Sequence, residues 1–137
     1  WRRGAHGNTF GGNPIACAAA NATLVLVERE YAANAASAGE YFMERLNALA
    51  REYPCIGEVR GRGLMIGMEL VAEDRTPAAA LCDALVTRAF HNGLLLLSCG
   101  ASTVRFMPPL CVSQVEIEEA FNLLRLALDE ALAGVRR

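Results

Sequence analysis

Residues 56–71 read Ile56-Gly57-Glu58-Val59-Arg60-Gly61-Arg62-Gly63-Leu64-Met65-Ile66-Gly67-Met68-Glu69-Leu70-Val71, and the alternation in their second half decides the fold. Leu64, Ile66, Met68 and Leu70 fall on one face of an extended chain, and Met65, Gly67, Glu69 and Val71 on the other. A sustained period of two marks a half-buried strand and not a helix. Ile56 to Arg60 reads as a short strand ahead of it and Gly61-Arg62-Gly63 as the turn, so the two strands pair as an antiparallel hairpin. The spacing Gly61-x-Gly63-x-x-x-Gly67 is not a dinucleotide fingerprint, because that motif must open a helix and here a strand follows.

Downstream, Glu73 to Thr76 is a polar loop, and Thr76-Pro77 is expected to cap a helix that ends at Asn92-Gly93, with Leu81, Leu85 and Ala89 as its buried stripe. Leu94 to Leu97 reads as an apolar strand, Cys99 to Ser102 as a turn, and Thr103 to Met107 as the last strand, closed by Pro108-Pro109. Ser113 and Glu116 form a capping box for a final helix to about Leu132, with the stripe Ile117, Phe121, Leu124, Leu128 and Ala131 and Gly134 as its stop. Upstream, a helix from near Asn34 to Tyr53 carries Phe42, Leu46, Leu49 and Tyr53 on one stripe and ends at Pro54. Gly39 inside it costs about 1 kcal/mol relative to alanine. A first helix spans Pro14 to about Glu30. The whole predicts an α+β fold: a small, mostly antiparallel sheet with packed helices, preceded by a long linking helix.

That first helix follows the glycine-rich run His6-Gly7-Asn8-Thr9-Phe10-Gly11-Gly12-Asn13-Pro14. Gly7, Gly11 and Gly12 permit positive φ; Asn13 suits the N-cap and Pro14 the first turn. A loop opening onto a helix N-terminus is either a plain connector or an anion site built from free amides, with Asn8 and Thr9 as added donors. Between Pro14 and Val27 the polar side chains are Asn21 and Thr23 alone. A helix apolar nearly all round is expected to be covered on most sides, and in a chain of this size by something outside it. It is too short and too polar for a membrane span.

The 137 residues suffice for one domain, with a net charge of −2 that argues against a nucleic-acid footprint. The five cysteines are odd in number, lack a C-x-x-C pair and have only His6 and His91 beside them. They read as buried free thiols in a reducing cytoplasm, not as a zinc site. His91, at a helix end, reads as a surface residue, and neither histidine is assigned to catalysis. On the last strand Arg105 shares a face with Thr103 and Met107. It is either an exposed-face arginine or a two-pronged clamp on a carboxylate.

Three ordered blocks, His6 to Pro14, Val59 to Gly67 and Val104-Arg105-Phe106-Met107-Pro108-Pro109-Leu110, resemble the class III aminotransferases. These are pyridoxal 5'-phosphate enzymes of fold type I that include the 4-aminobutyrate, ornithine and acetylornithine aminotransferases. The resemblance implies that Arg105 binds a substrate α-carboxylate, and that Asn8 and Thr9 reach the cofactor phosphate in the partner subunit of a homodimer or higher homo-oligomer. It implies a cytoplasmic enzyme acting on an amino acid and a 2-oxo acid, with no nucleic acid or membrane as partner. Residues 1–33 would then be the phosphate-contacting loop and the linking helix from a large domain, and residues 34–137 the C-terminal small domain.

The 13 basic residues are all arginine. Covalent attachment of a pyridoxal cofactor needs a lysine amine, and a guanidinium cannot replace it because it stays protonated. The chain is therefore expected to hold no catalytic residue and to be inactive alone, as the C-terminal part of a larger enzyme. The lack of a starting methionine agrees with that expectation. An amino-acid racemase of the same fold and a non-catalytic ligand-binding or dimerisation module are the alternatives.

Overall fold

The computed structural model describes residues 2–135. The chain divides into two compact units, Trp1–Ala33 and Asn34–Arg137.

In the first unit, α1 runs Pro14–Leu26. Asn13 is its N-cap, accepting from the Ala16 amide at 2.9 Å, with Pro14 in the first turn. A five-residue π-helical turn, Val27–Tyr31, follows, where the sequence predicts an ordinary helix to about Glu30. None of the residues of α1 is buried; Ile15 is 84% exposed. Of the three loop glycines that permit positive φ, Gly12 uses it, at φ +81°, and Gly7 and Gly11 do not.

In the second unit, α2 (Ala32–Glu52 as an element) leads into β1 (Ile56–Arg62) and β2 (Met65–Leu70). Then come α3 (Ala79–His91), β3 (Leu97–Cys99), β4 (Thr103–Phe106) and α4 (Gln114–Val135). The sheet order is β1-β2-β4-β3, antiparallel throughout. The hairpin forms as expected, with a tighter turn at Gly63-Leu64 and Gly63 at φ +54°.

Leu64, Ile66, Met68 and Leu70 are all buried, and so are Val104 and Phe106. These side chains meet Phe42, Leu46 and Leu49 of α2, Leu81, Leu85 and Ala89 of α3, and the predicted stripe of α4, in one core. Phe42 and Phe106 meet edge to face with ring centroids 5.1 Å apart. Gly39 has a packing reason: a β-carbon there would lie 2.3 Å from the Gly63 carbonyl oxygen, so α2 crosses the hairpin turn backbone to backbone. On the helix surface Arg45 donates to both oxygens of Glu118, at 2.7 and 2.9 Å, and fastens α2 to α4.

Several element ends differ from expectation. Helix α3 begins after Ala78, which offers no side-chain cap. Thr76 is held instead by Asp74 in a local turn, and Pro77 bridges to Val71. The third strand forms at Leu97–Cys99, not Leu94–Leu97. Leu96 drops into the core while Leu95 stays 75% exposed, so this run follows burial and not simple apolarity. Gly134 lies inside α4. The capping box is present: the Ser113 amide donates to Glu116 at 2.8 Å, and the Glu116 amide to the Ser113 hydroxyl at 3.3 Å.

Candidate functional site

The helices cover one face of the sheet. The other face is built by the alternate residues, and its exposed members include Met65, Leu97, Arg105 and Met107. Arg105 reaches it because its neighbours Val104 and Phe106 are drawn into the core, and a strand residue between two buried ones must point outward. The guanidinium makes no hydrogen bond or ion pair with the described residues. A charged group standing on a partly apolar face, with its donors free, is available to a carboxylate or phosphate. Beside it a cleft of about 300 Å³ is lined by Arg105, Leu95, Met107, Pro108, Pro109 and Glu116 among others.

Strand register adds what spacing alone does not give. Arg60 pairs with Gly67, Gly67 with Arg105, and Arg105 with Leu97, so these residues stand in one row across the open face. The period-two reading placed Gly67 on that face. The row itself depends on how β2 meets β4, a contact distant in sequence that no local pattern encodes.

Asn8 and Thr9 belong to the first unit and Arg105 to the second. The Asn8 carboxamide oxygen accepts from the amides of Phe10 and Gly11, at 2.9 and 3.1 Å. Those amides are thereby occupied, which corrects the picture of a loop of free N–H groups. Ala16, the next candidate, is taken by the cap. Among the side-chain donors, the exposed Thr9 hydroxyl, which has no partner among the described residues, and the Asn8 side-chain NH₂ stay available to an anion. Those donors fit the phosphate end of a pyridoxal cofactor. With no lysine, the chain offers no side-chain amine for its aldehyde end.

Several other titratable groups sit in structural contacts. Tyr41 donates to Glu118, and that bond, with the Arg45 guanidinium behind it, holds the Glu118 carboxyl below its ordinary range. Burial pushes the Cys82 and Cys55 thiols up. All five cysteines are free, but only Cys82 is buried; Cys17 and Cys111 are exposed, which corrects the expectation of buried thiols. Cys17 is exposed because α1 is uncovered within its unit. His91 is exposed, as expected. Among the described residues no group of histidine, cysteine and carboxylate side chains is placed to hold a metal ion. No helix among them is long and apolar enough to cross a membrane.

The sequence pattern of the Aminotransferase class-III family matches residues 1–128. The chain is 37% identical to acetylornithine aminotransferase of Caldanaerobacter subterraneus over 137 residues, which is 99% of this chain and 32% of that protein. It is 38% identical to alanine/serine racemase of Pyrococcus horikoshii, covering 89% of this chain and 26% of the relative. Among solved structures, a Bacillus anthracis aminotransferase superposes with a TM-score of 0.83 at 32% identity, over 92% of this chain and 30% of that one. The chain thus spans about a third or less of the length of these proteins.

Proposed function

Because the chain belongs to the class III aminotransferase family, we propose that it works as the C-terminal part of a pyridoxal-phosphate-dependent aminotransferase, moving an amino group between an amino acid and a 2-oxo acid. The observation that carries this reading is Arg105, a guanidinium with no partner among the described residues, on the open face of a sheet whose other face is core. Arg105 receives the substrate carboxylate two-pronged, which fixes the orientation of the molecule and not only its charge. Thr9 and the Asn8 side-chain NH₂ hold the cofactor phosphate. Bound pyridoxal phosphate supplies the electron sink; the lysine that anchors it comes from outside this chain.

Residues 1–33 serve as the phosphate-contacting loop and linking helix, and residues 34–137 as the small domain. The exposed apolar side chains of α1 are covered in a cytoplasmic homodimer. A racemase is the second reading, favoured by the Pyrococcus relative.

The test is to read and express the coding sequence upstream of Trp1 together with this chain, and to assay it with pyridoxal phosphate. Amino-group transfer to a 2-oxo acid supports the first reading. Inversion of an amino acid with no oxo acid present supports the second. A stop codon or an unrelated domain upstream would sink both and leave a non-catalytic module. Arg105→Lys in the active enzyme should weaken amino-acid binding by about 1.5–3 kcal/mol, the worth of a charge-assisted hydrogen bond, and leave cofactor affinity unchanged.

A further inference from the structure

Asn34 is a polar residue at the head of an apolar stripe. On α2 it stands four residues before Ala38 and eight before Phe42, both of them buried, so the three side chains lie on one side of the helix. By pattern alone a helix packed through this stripe would carry an apolar residue there. The Asn34 side-chain NH₂ reaches instead to a distant segment. It donates to the Leu110 carbonyl oxygen at 2.7 Å and to the Val112 carbonyl oxygen at 3.1 Å. The carboxamide is fixed this way round, because turned over its oxygen would oppose two carbonyl oxygens.

The gripped segment is a wall of the Arg105 cleft. Residues 107–112 lead from β4 toward α4, and Met107, Pro108, Pro109 and Val112 line the cleft beside Arg105. One end of the segment is fixed by the sheet, where Phe106 pairs with Ile66. The rings of Pro108 and Pro109 lock their φ angles. The Val112 amide closes a turn onto the Pro109 carbonyl at 3.0 Å. A run stiffened in this way moves as one piece, so a hold on its far end also sets its near end. Helix α2 therefore serves the cleft twice. Phe42 lines it and braces Phe106 edge to face. Asn34, about 12 Å away along the helix axis, holds its wall.

We propose that Asn34 is a positioning residue for the carboxylate receptor. It touches no ligand. It holds Met107, Pro108 and Pro109 at the distance from Arg105 at which they pack against the body of a carboxylate seated on the guanidinium. The proposal rests on the reading of Arg105 as a carboxylate receptor, and adds the residue that decides how the rest of the ligand fits beside it. Arg105 keeps its own place when Asn34 is changed, because Val104 and Phe106 hold β4 in the core. Loss of Asn34 is thus felt by a ligand with a long body and not by a bare carboxylate.

The experiment is an NMR titration of the 137-residue chain with acetate and with hexanoate at constant ionic strength, following the Met107 amide and the Arg105 Nε–H signals. Acetate reaches the guanidinium alone, and hexanoate also lies along the wall, so hexanoate should bind more tightly. Asn34→Ala should weaken hexanoate about fivefold, the equilibrium worth of one ordinary hydrogen bond, and leave acetate unchanged. Asn34→Asp keeps the shape but turns a carboxylate toward two carbonyl oxygens, and should weaken hexanoate at least as much. Asn34→Gln keeps the donors on a stem one methylene longer and should retain more affinity than either. Arg105→Gln should weaken both probes. An unchanged ratio of hexanoate to acetate affinity in Asn34→Ala and Asn34→Asp would overturn the positioning role and leave Arg105 as the receptor. So would equal loss of both probes in Asn34→Ala, which is what a general loosening of the sheet produces, and so would hexanoate no tighter than acetate in the intact chain. Binding of neither probe, or of both undiminished in Arg105→Gln, would overturn the receptor reading and this proposal with it.

Discussion

The two units are folded by different means. Among the described residues, Trp1–Ala33 contains no buried side chain, whereas Asn34–Arg137 holds all of the core. Helix α1 is specified locally, by the Asn13 cap, by Pro14 and by a run of alanines. Helix α4 also has a local start signal, the Ser113–Glu116 box, but its place is set by Ile117, Phe121, Leu124 and Leu128 in the core. A capped helix and a packed helix look alike as backbone. They differ in what they lose when a side chain is cut.

The sharpest way to break that comparison is a matched pair of truncations. Leu128 is fully buried and Leu24 is 57% exposed. Leu128→Ala should cost about 2–5 kcal/mol of stability in urea titration, and Leu24→Ala less than about 0.5 kcal/mol at concentrations where the chain is monomeric. Comparable costs would mean that α1 is buried after all. Raising the concentration sharpens the same point: the intact chain should gain mass in light scattering, and Leu24→Ala should gain less.

Gly39→Ala comes next. Alanine is the better helix former by about 1 kcal/mol, yet its β-carbon would stand 2.3 Å from a backbone oxygen. Overpacking should win, with a net loss of roughly 1–3 kcal/mol. A stabilised variant would show that α2 can lift off the hairpin freely.

Asn13→Ala should cost α1 about 1 kcal/mol. The loss should appear as faster amide exchange in residues 15–20 with the urea midpoint of the core unchanged. A shifted midpoint would tie the two units into one cooperative system.

The smallest effect is with pH. Backbone and side-chain hydrogen bonds from Ser113 hold the Glu116 carboxyl low, Tyr41 and Arg45 hold Glu118 low, and Thr76 holds Asp74 low. A carboxyl with a lowered folded value contributes stability above its unfolded value, and that stability is lost as pH falls through the folded value. The urea midpoint should therefore fall on acidification below the ordinary carboxylate values, 4.5 for glutamate and 3.8 for aspartate. Tyr41→Phe should flatten the fall modestly, since these groups are exposed.

Much of this was legible in the chain because it is written locally. The period of two in Leu64 to Leu70 and the stripe of α4 name the core residues outright. The capping box, the Asn13 cap and Gly93 at φ +90° mark helix ends by chemistry within a few residues. Arg105 was legible as a candidate through its place on a strand and the motif around it. The misread features turn on which of several nearby partners a group takes. Leu94 to Leu97 looks like a strand by composition, but β4 offers pairing to Leu97–Cys99. Thr76 looks like a helix cap, but Asp74 claims it first. Asn8 looks like a ligand donor, and half of its side chain is spent on its own loop.

The alternation on β4 has a mechanical consequence. Val104 and Phe106 are locked in the core, so Arg105 cannot change its partner on β2 by one residue without turning both of them into water. The hydrophobic interior thus acts as an index that sets the lateral position of the open-face groups in steps of whole residues. A substitution that loosens the interior slightly would leave that index engaged, and one that defeats it would displace every group on the open face at once.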